Sequence, residues 1–491
     1  MTTKNFASQT DDIQGIILSG YGHLFYSCNL FLTIQRAKDA RQWLSAIAGD
    51  ITTADRRGSS PGISGKPRCA VNLAFTVSGL SALELPPAAI QTFPQEFQEG
   101  MTEPSRSRRL GDNGTSAPAN WEIGGIATDD RLEDATRILL ILQAATEAEL
   151  AELRSQYLSQ AAQHGVNLVK AESGHRLPDQ KEHFGFRDGI AEPNIEGSPK
   201  DPSDEELSIK AGEFILGYPN SYGNLPPTPM VSSALDIHKV LAPVTHPTAD
   251  QVGLLDLGRN GSYLVFRKLH QDVAAFRRFF LRQFTDPDEA KLMMAKAVGR
   301  WPSGAPLALA PDRDDPKVSE LPKSNSFGYS SDPHGYGCPL GAHIRRSNPR
   351  DSLGDNAAES RTNVNRHRII RRGVSYGIPL PAGQMEDDGQ PRGLLFICIN
   401  ADIKRQFEFL QQTWINNPKF GGLYNDPDPL VGDNLEHGDK PRVCNLTVPR
   451  APIRTRIKEL PRFVSVKGGY YFFLPSLAAI RFLASSPAPI S

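Results

Sequence analysis

The sequence predicts an α+β fold made of two related sheet-plus-helix units. Two observations carry this. Strand-like and helix-like segments recur in similar order in the two halves. The chain, at 491 residues, also exceeds the size that one hydrophobic core usually serves.

In the first half, "LFYSCNLFLTI" (24–34) is rich in aromatic and β-branched residues and reads as a strand. "AKDARQWLSAIA" (37–48) follows, with Ala40, Trp43, Leu44 and Ile47 at helical spacing. "VNLAFTVSG" (71–79) reads as a strand ending at glycine, and "ATRILLILQA" (135–144) as a buried strand. Thr146 and Glu149 have the spacing of a capping box and open a helix that stops at Gly165. The second half offers strands at 261–269, 393–400 and 468–475, each followed by a helix, at 271–284, 402–414 and 476–484. The segments 302–326, rich in proline and charge, and 351–366, polar throughout, read as linkers or surface insertions.

Composition excludes several classes. A formal net charge of −1 offers no bulk attraction to nucleic acid or to an acidic membrane. No apolar run is long enough to span a bilayer, so no membrane partner is expected. The start, "MTTKNFASQTDD", lacks the pattern of a secretory signal, which makes cytoplasmic the expected location. The tail "LASSPAPIS" carries no cargo signature. Five scattered cysteines without a CxxC argue against a disulfide framework and a structural zinc site.

Three stretches hold chemistry-bearing residues in small-residue settings. "EHFGFRDGIAEP" (182–193) fixes Asp188 between Arg187 and Gly189, three residues after Gly185. "GCPLGAHIRRSNPRD" (337–351) sets His343 among small residues ahead of an arginine pair. "RIIRRGVSYG" (368–377) supplies Arg371 and Arg372. Singly, each has a plain structural reading: a satisfied histidine, an Asp-Gly turn, a solvated arginine face.

Together, in this order, they resemble the dye-decolorising peroxidase family. The GxxDG motif appears as Gly185-Phe186-Arg187-Asp188-Gly189, the proximal-histidine stretch as "HIRRSNPR" from His343, and the distal-arginine stretch as "RRGVSYG" from Arg371. "GEFILGYPN" (212–220), "NGSYLVFRKL" (260–269) and "RGLLFICIN" (392–400) add smaller matches.

The resemblance implies two ferredoxin-like units of antiparallel sheet with peripheral helices, 1–235 carrying the GxxDG loop and 236–491 holding most of one haem b per chain. It implies His343 as the iron ligand, with Asp428 in "DPDPLVG" as the acceptor for its other ring nitrogen; a surface turn fits Asp428 equally. Asp188 becomes the distal acid/base and Arg371 its charge partner. Because an aspartate titrates near about 3.9 where a histidine titrates near about 6.5, an acidic optimum follows. Gly185 and Gly189 let backbone approach a flat cofactor, with Ile190 and Phe186 packing around it.

Leu394 and Phe396, two apart on a strand, share a face and would restrict access to the distal side; ordinary sheet core explains them as well. Arg350 would meet a haem propionate, or make a structural salt bridge. Tyr376 and Trp414 match positions that relatives use for surface electron transfer, against a reading as amphipathic packing. The implied activity is oxidation of dyes, phenols and other one-electron donors by hydrogen peroxide. The alternative is a haem-handling protein of the same fold, which needs His343 but no fast peroxide chemistry.

Overall fold

The computed structural model describes residues 6–55, 66–126, 135–198, 208–321, 323–434 and 444–485. The tail segment 486–491 lies outside them. The first half runs β1 (Tyr26–Ile34), α1 (Ala37–Ile47), β2 (Cys69–Phe75), β3 (Ile138–Ala144), α2 (Glu147–Gln163) and β4 (Val166–His175). The second runs β5 (Ser262–Gln271), α3 (Val273–Gln283), α4 (Pro287–Val298), α5 (His343–Ser347), α6 (Ala357–Asn365), β6 (Ile370–Arg371), β7 (Val374–Tyr376), β8 (Gly393–Asn400), β9 (Val464–Leu474) and α7 (Leu477–Ser485).

The first sheet has the order β2-β3-β1-β4 and the second β7-β8-β5-β9, antiparallel throughout. Each places its first strand beside its third and last, the ferredoxin-like order, so the α+β prediction with two such sheets stands. The sheets join edge to edge at two seams. Each seam has a single residue pair in register: His175 with Ser375 between β4 and β7, and Phe75 with Phe473 between β2 and β9. The result is a closed eight-strand ring, which leaves little open sheet edge.

Alternation along the strands sorts the apolar residues onto two faces. Phe31 of β1 and Phe266 of β5 stand on non-neighbouring strands, yet their ring centroids are 5.0 Å apart, so they meet across the interior. Leu264, Leu139, Ile141, Leu395, Ile397, Ile399 and Phe472 join them. The outward residues, among them Leu30, Leu140 and Val265, bury Trp43, Leu44 and Ile47 of α1 and Ile480 and Leu483 of α7. Each fully buried aliphatic or aromatic side chain contributes roughly 1.5–3 kcal/mol.

Several local expectations change. The strand predicted over 71–79 ends at Phe75, because the Thr76 side chain accepts from the Gly79 N–H and caps a helix, Val77–Ala82. Gly79 is needed there for close approach: a Cβ would stand 1.9 Å from the Arg137 carbonyl oxygen. The helix predicted over 402–414 is π-helical at Lys404–Glu408 and Leu410–Ile415. The polar segment 351–366 contains α6, capped by the Asn356 side chain. The capping box of α2 forms as read, Thr146 and Glu149 each accepting from the other's backbone N–H. Among the described residues no helix is long and apolar enough to cross a membrane.

Candidate active site

The connection leaving β4 is folded by one buried carboxylate. Glu182 accepts the backbone N–H groups of Phe184 (2.9 Å) and Phe186 (3.0 Å), and Gln271 at the end of β5 donates to it at 2.6 Å. Burial pushes Glu182 up to about 7 against those donors. The turn it holds needs Gly185 at φ +98°. Asp188 follows; its N–H donates to the Gln180 carbonyl at 3.2 Å. One carboxylate oxygen accepts from the Gly189 N–H at 2.7 Å, with Gly189 at φ +73°. Nothing stands within 4 Å of where a Cβ would sit on Gly185 or Gly189, so both border open space.

Arg371, in β6, donates from Nη1 to the same Asp188 oxygen at 2.9 Å. A second acid orients it. Glu192 accepts the Arg371 backbone N–H at 2.7 Å and Nε at 2.9 Å, and lies 2.8 Å from Nη2. Glu192 sits four residues after Asp188, inside a stretch whose chemistry is read from the sequence, yet its role is not. The Glu192 carboxylate is the chief reason that Arg371 holds its proton even more firmly than an ordinary arginine; burial opposes this and Asp188 adds to it. For Asp188, burial pushes the carboxyl up, but the Arg371 charge and the Gly189 N–H more than offset it, leaving the pKa below its ordinary value.

His343 opens α5. Its Nδ1 lies 2.8 Å from the Asp428 carboxylate, which is wholly buried and also accepts the N–H groups of Leu430 and Val431, each at 2.9 Å. Asp428 is thus the residue that the His343 Nδ1 meets, and it is buried rather than on a surface turn. Burial lowers the His343 pKa, but the Asp428 charge outweighs it and the net direction is upward. With Nδ1 engaged, Nε2 is the nitrogen free to bind a metal; it has no protein partner among the described residues.

Asp188, Arg371 and His343 are densely surrounded by protein, yet their side chains stay 43%, 35% and 28% accessible. Asp188 and His343 are close enough that each feels the other's charge. An acid–guanidinium pair and an imidazole nitrogen thus keep part of their surface accessible, with open space beside Gly185 and Gly189. That donor set fits a flat iron cofactor with one protein ligand. A separate surface cavity of about 680 Å³, lined by residues including Ser105, Arg108, Arg109, Asn416 and Asp433, contains none of these three groups.

The other predicted residues divide. Leu394 and Phe396 are half-buried on the outer face of β8. Cys398 shares that face and pairs in register with Arg371, so both belong to the sheet face that presents Arg371. Ile190 packs against Gly304, with its carbonyl accepting from Asn325. Arg350 makes no direct salt bridge among the described residues: Nη1 donates to the Asn325 and Phe327 carbonyls at 2.6 and 2.7 Å, and the guanidinium lies 3.8 Å from the Phe327 ring centroid. Tyr376 and Trp414 are not surface residues. Both are buried, Tyr376 under the Lys268 ammonium at 5.1 Å and Trp414 against His367 and Phe409. β7 and the π-helical segment turn both rings inward.

No family model matches the chain. A dye-decolorizing peroxidase of Mycena epipterygia is 30% identical over 526 residues, covering 98% of this chain and 88% of the relative. One of Exidia glandulosa is 30% identical over 494 residues, covering 96% and 86%. A solved dye-decolorizing peroxidase in complex with 2,6-dimethoxyphenol superposes with a TM-score of 0.76 at 26% identity, covering 97% of this chain and 99% of that one.

Proposed function

The chain belongs to the dye-decolorising peroxidase family and is a hydrogen-peroxide-dependent oxidoreductase, and from that premise we propose that Asp188 and Arg371 handle the peroxide while His343 ligates a haem b. Its donors are dyes and phenols. Haem, when bound, supplies the redox iron at which the O–O bond of hydrogen peroxide is cleaved.

The carrying observation is the 2.9 Å pair of Asp188 and Arg371, with His343, held through Nδ1 by Asp428, near enough for its charge to bear on Asp188. Asp188 accepts a proton from one peroxide oxygen and returns it to the other, so that water is the leaving group. A carboxylate whose pKa is held down can do this in acid. Arg371 balances the negative charge that builds on the departing oxygen, and Glu192 keeps its guanidinium aimed without taking the Nη1 that reaches Asp188. Asp428 fixes the His343 ring with Nδ1 turned away from the metal side and makes Nε2 a stronger donor. Leu394 and Phe396 narrow the approach to something the size of peroxide. Bulky dyes then give up electrons from outside the pocket. Haem carriage would need His343 but not an oriented Asp188–Arg371–Glu192 set, which favours the peroxidase.

The test is a rapid-mixing series with the haem-loaded chain and hydrogen peroxide at acid pH, read at the haem Soret band. Fast reaction in the wild type and slow reaction in Asp188→Asn is the expected result. Equal rates in the two would remove Asp188 as the base.

A further inference from the structure

The segment 302–326, which reads in the sequence as a linker or surface insertion, meets the Asp188 turn at both of its ends. At the near end the Pro302 carbonyl accepts the Arg187 N–H at 3.3 Å. The turn that follows is closed by the Gly304 N–H on the Trp301 carbonyl at 2.8 Å. It lies so close to the loop that a Cβ on Gly304 would stand 2.9 Å from Ile190 Cδ1 and 3.2 Å from Arg187 Cδ. At the far end Asn325 donates from Nδ2 to the Ile190 carbonyl. Asp188 is thus bracketed: the residue before it and the second residue after it are hydrogen-bonded to one segment.

Asn325 is itself held from behind. Arg300, only 4% exposed, donates from Nη2 to Asn325 Oδ1 at 2.7 Å and from Nη1 to the Gly304 carbonyl at 2.8 Å, and it pairs with no carboxylate among the described residues. Arg350 donates to the Asn325 backbone carbonyl at 2.6 Å. A guanidinium can only donate and a carbonyl can only accept, so a side chain that bridges them has to accept on one side and donate on the other. An amide does both. A carboxylate or an alkyl group of the same size does not. The carbonyl it reaches lies midway between Asp188 and Glu192, the two acids that hold Arg371.

We propose that Asn325 is a positioning residue for the peroxide reaction: backed by Arg300, it ties the 302–326 segment to Ile190 and keeps Asp188 within hydrogen-bond reach of Arg371. This rests on the reading of Asp188 as the base given above. The segment is then a strap across the acid's turn, fastened at Arg187 and at Ile190, and not surface decoration. The fastening matters because the turn has glycine at Gly185 and Gly189, both at positive φ with open space beside them, and little else to hold it on that side. A shift of about 1 Å in a reacting group is enough to slow a reaction severely.

The experiment uses the haem-loaded full chain as wild type, Asn325→Asp and Asn325→Leu. Two quantities are read: the rate constant with hydrogen peroxide across the acid range, and the midpoint of thermal unfolding. Asn325→Asp keeps an acceptor for Arg300 but sets an oxygen against the Ile190 carbonyl, so the midpoint should hold while the tie is lost. Asn325→Leu is similar in size, carries no charge and loses both contacts. In both variants the peroxide reaction should slow by about tenfold. The acid limb should also move upward in both, because an Asp188 drawn away from the Arg371 charge is left to burial. The charged groups around Asp188 are Arg371 and Glu192 at β6, His343 in α5 and Glu182 in its own loop, and neither substitution removes any of them. A shift confined to Asn325→Asp would be the new charge acting directly and overturns the proposal. An unchanged limb in both also overturns it, because a merely structural tie lowers the midpoint alone. Should Asn325→Leu fail to fold, Asn325→Ala, also neutral, decides in its place. A wild type that does not react rapidly with peroxide refutes the reading of Asp188 itself, which is a separate outcome.

Discussion

Glu192 grips Arg371 at three points, the backbone N–H, Nε and Nη2, while Asp188 meets the same guanidinium at Nη1 alone. The arginine is thus positioned by one acid and shared with the other. Glu192→Gln should leave haem bound and slow the reaction with peroxide by on the order of tenfold, about 1.4 kcal/mol in the barrier. Since Arg371 would then be free to close fully on Asp188, Glu192→Gln with an unchanged rate would show the grip to be structural only.

Asp188→Asn keeps the shape and the acceptor for Arg371 but cannot take a proton. A fall of roughly 10²–10⁴-fold in the peroxide rate constant is expected, with the Soret spectrum of the resting protein retained. Loss of the haem instead would mean that the carboxylate serves binding.

The pH profile follows from the sign of the Asp188 shift. Asp188 works as the carboxylate, so its rate is lost as pH falls through its pKa, and that pKa lies below the ordinary value. The acid limb of the peroxide reaction should therefore lie below about pH 3.9. Arg371→Met removes the cation and leaves burial dominant, so the limb should move upward. Identical limbs in the two proteins would contradict the pairing.

On the proposed role of His343 as iron ligand, removing the acceptor behind it should weaken the hold on haem. Asp428→Asn should lower haem affinity by about 10–100-fold. His343→Ala should lower it further, and full retention in that variant would exclude His343 as the ligand.

Because the Tyr376 and Trp414 rings are buried, replacing either with phenylalanine should change the rates for a bulky dye and a small phenol by the same factor. A loss confined to the dye would restore the surface-transfer role.

What the sequence made legible follows from how local each signal is. Asp188, His343 and Arg371 sit in short glycine-flanked or arginine-flanked runs whose order survives in the linear chain. Asp428 was within reach because an imidazole that binds iron needs an acceptor, and a carboxylate flanked by prolines was available. Glu192 carries no such mark: its partner lies 179 positions away and meets it only when the strands close. β4 went unread because its residues alternate between half-exposed and exposed along its first part, with Lys170 and Glu172 diluting the apolar pattern. Exposure of Tyr376 and Trp414 was not legible at all, since the same aromatic at the same spacing can face either way until a sheet or helix covers it.

The seam between β4 and β7 carries one further consequence. Asp188 comes from the chain just beyond β4, and Arg371 from the chain just ahead of β7, so the acid and its cation arrive from opposite sides of a join secured in register by a single residue pair. Neither sheet owns the reactive pair. A chain cut between Glu192 and Ser262 would leave each fragment with half of it, and activity regained on mixing the fragments would report directly that the ring had closed again.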